Sequence, residues 1–515
     1  MPHIAPLFGI VSTWLTPFWL FAAGITLGMV AVFVPLGIFT LFQQGPKGRN
    51  WKLAVITFFQ EGFLKPLFVL GVLMTVFTVL PFVFTSAGFP DLNQRGFLRS
   101  LLRLPAVQSF ITSGKVNPPT DPNAANGPTP QSLAIHFQGA ELAKLEMVSD
   151  QTVALRIPEE NATRPGTLIV LNAGEKWEFT RGTGAENPFY ADVTHVEAIY
   201  EGTKPATIAF SATIDVEYPE VRFVIQIAIA FVAIIFLHFL MRLILPKVYA
   251  VAMATCKEGV GQPLFYLVLA LGIFCIGFFI IIPMYTFGED IKMYKEAGLT
   301  LIMILSLVLT LWNSSVSIAE EIEGKTAVTV LSKPIGRREF VLGKFFGILG
   351  PVAVTFLVLG TFFLMTTSLK VVYDQRESAK AVVFWNECYK EMLSVVPGLL
   401  LGFMEIMVLA SISVALSTRL QMLPNLLICF SVFVLGHIVP LIVSSDVGKL
   451  PMVAFVGQLV ATILPVLDHF NIQAAISGGT TVPATYLWMT LGYSALFCTM
   501  ALLIGLFLFE DRDVA

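Results

Sequence analysis

Charge is what this chain has little of. Of its 515 residues, 13% are Asp, Glu, Lys or Arg, about half the share in an ordinary soluble protein, and 56% are hydrophobic. Such a chain belongs in a membrane. Its net charge of -3, with no basic tail and no run of Lys or Arg, excludes nucleic acid as a partner. No GxxxxGK(S/T) phosphate loop occurs: Gly114-Lys115 lacks the preceding glycine spacing, and Gly343-Lys344 is followed by Phe. The 5 cysteines, Cys256, Cys275, Cys388, Cys429 and Cys498, are scattered, and none falls between positions 86 and 220. That pattern supplies neither a disulfide scaffold nor a zinc spacing. Ser477-Gly478-Gly479 lies in a loop with no histidine partner at membrane depth, which argues against an intramembrane hydrolase. The stretch Met1 to Pro17 has no basic residue before its apolar part and no cleavage pattern, so no signal peptide is expected. We expect no catalytic residue, no metal and no bound cofactor on this chain.

Long apolar runs are what it has. Nine can each cross about 30 Å at about 1.5 Å per residue. They lie near Trp19 to Leu41, Pro66 to Thr85, Arg222 to Leu245, Leu264 to Met284, Leu299 to Ser317, Phe340 to Thr366, Val396 to Ser417, Met422 to Val443 and Tyr486 to Phe509. Basic residues in the loops of Lys47 to Lys65 and Lys325 to Lys344 fall on one side in this count. That side reads as cytoplasmic, with the amino terminus outside and the carboxyl terminus inside. A tenth apolar segment, Pro451 to Leu467, is short for a crossing and reads as a re-entrant or interfacial helix.

The expected fold is therefore a polytopic α-helical membrane protein of about nine spans with an inserted, extracytoplasmic, mainly-β domain. Residues 1–85 form a two-helix unit, 86–221 the insertion, 222–248 the third span and 249–515 a six-helix core. Within the insertion, Leu92 to Leu104 has a helical look and Asn117 to Pro130 is turn-rich. Period-two alternation then marks strands at Ser132 to Phe137, Thr152 to Ile157, Thr167 to Leu171, Lys176 to Thr180, His195 to Tyr200 and Thr207 to Glu217, the pattern of a small sandwich. His136 and His195 read as strand-face residues, and Asn161-Ala162-Thr163 fits a glycosylation acceptor. Gln60 to Phe68 and Lys257 to Phe265 share Glu, Gly, Pro, Leu and Phe at equal offsets, a partial internal repeat.

The stretch Ser317 to Gly347 differs from a plain loop. Glu320, Glu321, Glu323, Lys325, Lys333, Arg337, Arg338 and Glu339 are too many charges for hydrocarbon, at about 2.5–3.5 kcal/mol each. Ala327, Val328 and Leu331 make a short apolar helical face, and Pro334 breaks the chain before it re-enters the membrane near Phe340. Arg337 and Arg338 are expected at headgroup depth, with Lys344 snorkelling back from one turn inside.

These residues carry a resemblance. Glu323-Gly324, Thr326, Leu331-Ser332, Pro334, Arg337 and Gly343-Lys344 look like the signature of ABC-2 type ABC transporter permeases. Ala254 to Phe265 resembles the amphipathic segment before the first helix of that family's six-helix core. Within the family, the chain is similar to permeases of multi-copper enzyme maturation or gliding-type systems. The resemblance implies a transmembrane subunit, an exporter, that is not itself an enzyme. ATP and magnesium would be bound by a separate ABC ATPase subunit meeting the stretch 317–347. A second permease copy, as a homodimer or a related permease, would complete the assembly in the lipid bilayer of a prokaryotic inner membrane. Coupling then falls to Glu321, Glu323, Gly324, Thr326, Pro334, Arg337 and Lys344, with Glu323 and Arg337 as polar contacts to the ATPase or to the interfacial helix.

Three ionisable residues sit within the spans: His238 in the third, Glu405 in the seventh and His437 in the eighth. Each is costly in lipid and reads as a substrate-path residue or a helix contact. An ion-coupled carrier would use such groups. A membrane-anchored receptor or scaffold acting through the inserted domain is the other reading.

Overall fold

The computed structural model describes residues 5–42, 59, 63–84, 94–105, 107–118, 130–158, 163, 167–181, 187–189, 192–282, 289–320, 336–377, 383–444, 451–472, 475–476 and 480–510. Among the described residues, nine helices are long and apolar enough to cross a membrane, and two four-stranded sheets lie between the second and third of them. The fold is that of a polytopic helical membrane protein with an inserted β domain. The chain divides into two compact units, Met1–Leu92 with Val224–Ala515, and Asn93–Phe223.

In chain order the elements are α1 (Ala5–Phe42), α2 (Leu64–Phe84), α3 (Gln94–Leu102), the strands β1 to β8, α4 (Val221–Ile244), α5 (Pro246–Gly261) and α6 (Pro263–Ile281). Then follow α7 (Asp290–Ser314), α8 (Arg337–Glu377), α9 (Trp385–Ser417), α10 (Met422–Ser444), α11 (Pro451–Ile463) and α12 (Ala484–Glu510). Burial identifies the centre of the helical unit. The most apolar stretches of α7, α8 and α9 are 67%, 61% and 61% buried, against 22–28% in the other six spans. These three are the bundle's middle, and the others present most of their apolar surface outward, as a lipid solvent requires. Helix α11 has 13 residues, about 20 Å, short of a hydrocarbon core of about 30 Å.

Three helices overrun their apolar segments at one end. α7 begins at Asp290 rather than Leu299, α8 continues past Thr366 to Glu377, and α9 begins at Trp385 rather than Val396. Helix continues there because its polar groups find partners inside the bundle. Lys295 Nζ donates to Glu391 Oε2 at 2.7 Å and to Ser394 Oγ at 3.2 Å, joining α7 to α9. Tyr294 donates to Thr366 Oγ1 at 2.7 Å, joining α7 to α8. Lys370, fully buried, donates to the Ile280 carbonyl at 3.2 Å in the last turn of α6, where a cation complements the helix dipole.

In the inserted unit, the strands are β1 (Gln108–Val116), β2 (Gln131–Gln138), β3 (Leu142–Ser149), β4 (Val153–Arg156), β5 (Leu168–Leu171), β6 (Lys176–Thr180), β7 (Asp192–Ile199) and β8 (Ala206–Ile214). The sheets run in the orders β1-β8-β3-β6 and β2-β7-β4-β5, with every named pairing antiparallel. Alternation sends Leu133, Ile135 and Phe137 of β2 into a shared core with Leu145 and Met147 of β3 and Phe210 of β8. Arg181, just after β6, donates to the carbonyls of Ala140, Leu142, Val216 and Glu217 at 2.8–3.2 Å and so ties the starts and ends of three strands together.

Two strands, β1 and β3, are additional to those expected. β3 reads LAKLEMVS, all but its last two residues good helix formers, and its central position between β8 and β6 overrides that preference. β1 is an edge strand with mostly exposed or half-exposed positions and a glycine, so its alternation is faint. The 119–129 part of the turn-rich linker, Asn161 and Ala162 of the acceptor sequence, and positions 60–62 of the first repeat copy lie outside the described residues.

Candidate functional site

Two places in the helical unit carry polar chemistry. The first is the end of the bundle where α7 and α8 meet the stretch 317–347. Of the residues expected to couple, Glu321, Glu323, Gly324, Thr326 and Pro334 lie outside the described residues; Arg337 and Lys344 lie on the first turns of α8. That helix starts with a capping arrangement, in which the Gly336 N–H donates to Glu339 Oε2 at 2.8 Å and Phe340 N–H donates to the Gly336 carbonyl at 3.0 Å.

Arg337 donates to the Phe509 carbonyl at 3.1 Å, and its guanidinium lies 5.6 Å from the Phe509 ring centre. It thereby ties the start of α8 to the end of α12. The bridge to the interfacial helix α5 comes from the neighbouring Glu339, whose Oε1 is 3.4 Å from Lys247 Nζ. Lys344 departs from the snorkelling expectation. It is 4% exposed, donates to Ser317 Oγ at 2.9 Å, and sits 5.5 Å from the Phe340 ring centre. The π-helical turn that follows α7 places the Ser317 hydroxyl beside its ammonium.

That turn is wide. Ser315–Glu320 is a π-helical segment, a form that concentrates at functional sites. Beside it lies a buried polar knot that the sequence reading missed. Asn425 Nδ2 on α10 is 3.0 Å from the hydroxyls of Ser315, Ser413 and Ser417, and Cys429 Sγ meets its Oδ1 at 3.4 Å. Ser314 Oγ of α7 is a fourth partner at 3.4 Å; with two hydrogens for four oxygens, the amide shares its bonds, and α7, α9 and α10 are held by one side chain. The available signal was a density of Ser and Asn, at 313–315, 411–417 and 425, within otherwise apolar runs.

Helix α5 is fastened to α8 by close approach. A Cβ at Gly343 would meet Val251 Cβ at 2.5 Å, one at Gly347 would meet Thr255 Cβ at 2.5 Å, and one at Gly350 would meet Cys256 Sγ at 2.4 Å. These glycines form a stripe on α8 against which α5 lies with no room for side chains.

The second place is a cavity of ≈ 400 Å³ between α7, α9, α10 and the segment around Phe470 to Ile476. The structure brings Glu405 of α9 and His437 of α10 together there, His437 Nε2 lying 3.5 Å from Glu405 Oε1. His437 Nδ1 is 3.1 Å from the Phe433 carbonyl, which can only accept, so Nδ1 carries a hydrogen and Nε2 faces the carboxylate. Glu405 is 2% exposed and its Oε1 has no hydrogen-bond partner. His238 is elsewhere, with Nε2 3.1 Å from the Tyr249 hydroxyl at the α4–α5 joint, lining an apolar groove of ≈ 440 Å³.

The model of the ABC-2 family transporter protein matches residues 65–514, most of the chain and all of the elements just described from α2 onward. The chain belongs to the ABC-2 transporter family. No curated protein matches it. As an ABC-2 permease, the chain is the membrane-embedded subunit of a transporter. Arg337 and Lys344 serve as internal fasteners, one to α12 and one to the end of α7.

Proposed function

We propose that this ABC-2 permease couples ATP hydrolysis on a separate ATPase subunit to export, through the stretch 317–347. The observation that carries the reading is the joint itself. The chain leaves α7 through a π-helical turn; at the start of α8, Lys344 bonds that turn at Ser317, Arg337 bonds α12 and Glu339 pairs with α5. A push on that stretch would reach four helices at once. The joint also has slack: both amide atoms of Asn313 and Oε1 of Gln262 are buried without hydrogen-bond partners in the cleft between α5, α7 and α8. We read these orphaned groups as evidence of a second packing in which they are paired.

In this reading two copies of the core pair in a prokaryotic inner membrane. ATP and magnesium stay on the ATPase, the stretch 317–347 faces the cytoplasm, and the β unit lies outside. The test is purification of the full-length chain with the ATPase encoded beside it. Co-purification and stimulated ATP hydrolysis are expected, both lost on Glu323→Ala with Pro334→Ala. Intact transport by that double variant, together with no associated ATPase, would sink the proposal. A receptor role draws on the separate hydrophobic core of Asn93–Phe223; it predicts a stable complex that forms through that unit alone.

A further inference from the structure

We infer that the cavity between α7, α9 and α10 binds an amphiphile bearing a protonated amine, with Glu405 as its counter-charge. The inference rests on the transporter reading, of which it names the class of cargo. Size is the first argument. At ≈ 400 Å³ the space is within the range of small-molecule sites, about 300–1,000 Å³.

The distribution of polarity is the second. Leu299, Met303, Ile304, Phe433, Ile438 and Ile472 make most of the wall, so the body of the occupant is apolar. The ionisable groups among the lining residues are Glu296, Glu405 and His437, with neither Lys nor Arg. An anion would face two carboxylates without a fixed cation opposite, which costs several kcal/mol in a low-dielectric site. A neutral apolar solute would leave Glu405 as it stands, an expensive buried group with one oxygen unmatched.

Geometry is the third. His437 does not satisfy that oxygen: 3.5 Å is too long for a charge-assisted bond, which falls near 2.7–2.9 Å. Its Nδ1 is committed to the Phe433 carbonyl, holding the ring where it is. An ammonium group has three donors; Glu405 lines the cavity, and a turn of its carboxylate would bring Oε1, closed off as it stands, to one of them. Gly398 and Gly402 of α9 also line the cavity, with Leu299 and Ile472 packed on the first and the Phe356 ring on the second.

The experiment uses the full-length protein in lipid nanodiscs without nucleotide and two fluorescent probes. Dansylcadaverine carries a free alkylamine, and its N-acetyl derivative has the same ring and chain without the charge. Wild-type protein is expected to bind the amine at least tenfold more tightly than the acetylated probe. Glu405→Gln should abolish that preference while leaving the acetylated probe bound as before. Thr300→Trp, which adds bulk to the cavity wall from α7 and leaves residue 405 unchanged, should weaken both probes at least tenfold. It keeps the test informative if Glu405→Gln does not elute as a single folded species. Absence of saturable amine binding, equal affinity of the wild-type protein for the two probes, a preference that survives Glu405→Gln, or amine binding undiminished by Thr300→Trp overturns the inference. Loss of ATPase coupling with amine binding intact would instead strike the transporter reading alone, and intact coupling without amine binding would strike this inference alone.

Discussion

At the scale of single residues, the helical unit is held by polar side chains that a composition of 56% hydrophobic positions does not advertise. Asn313 departs from this pattern at both amide atoms, buried and without hydrogen-bond partners while its neighbours Ser314 and Ser315 join the Asn425 knot. A buried amide without partners costs about 1–3 kcal/mol, so Asn313→Leu should stabilise this packing of the bundle by about that amount. The expected outcome is a higher midpoint of thermal unfolding with slower transport. An unchanged midpoint with normal transport would remove Asn313 from the moving joint. Ionisable residues within apolar runs were legible in the sequence because each is expensive in lipid. Which of them meet was not, since the pairing of Glu405 with His437 depends on how α9 and α10 are rotated about their axes.

At the scale of elements, the contact of α5 with α8 depends on the absence of side chains. A Cβ at Gly347 would approach both Thr255 Cβ at 2.5 Å and the Ala252 carbonyl at 2.8 Å. Gly347→Leu should therefore force the two helices apart and cost about 1–3 kcal/mol, the range for overpacking, read as a lower unfolding midpoint. Thr255→Gly in the same chain should restore part of the loss. No rescue would mean that the stripe is not the contact that matters. The spans themselves were legible because about twenty consecutive apolar residues have one economical structure in a bilayer. The overrunning ends of α7, α8 and α9 were not, because what continues them is Lys295 meeting Glu391 and Lys370 meeting Ile280, partners far apart in sequence. The strands show the same division: β2 is readable from alternation alone, whereas β3 takes its conformation from the strands on either side.

At the scale of the whole molecule, the charge asymmetry of the loops sets an expectation about sides. In the proposed topology of nine crossings, the β unit and the stretch 317–347 are expected on opposite sides of the membrane. In a variant with its native cysteines replaced, Val170→Cys on β5, where Val170 is 56% exposed, should react with a membrane-impermeant maleimide in intact cells. Labelling only after the cells are lysed would reverse the assignment of sides.

The length of α8 has a mechanical consequence. Its 41 residues from Arg337 to Glu377 amount to about 60 Å of continuous helix, twice what the hydrocarbon layer requires. A rotation of roughly 5° about its middle would carry each tip about 2.5 Å, in opposite directions, with no change inside the helix. One end is anchored to the joint at Ser317 and the other lies among the ends of α6, α7 and α9. Such a beam behaves as a see-saw. In the proposed transport cycle, drawing the bundle together at one end of the beam would spread it at the other, so the two ends would open in turn.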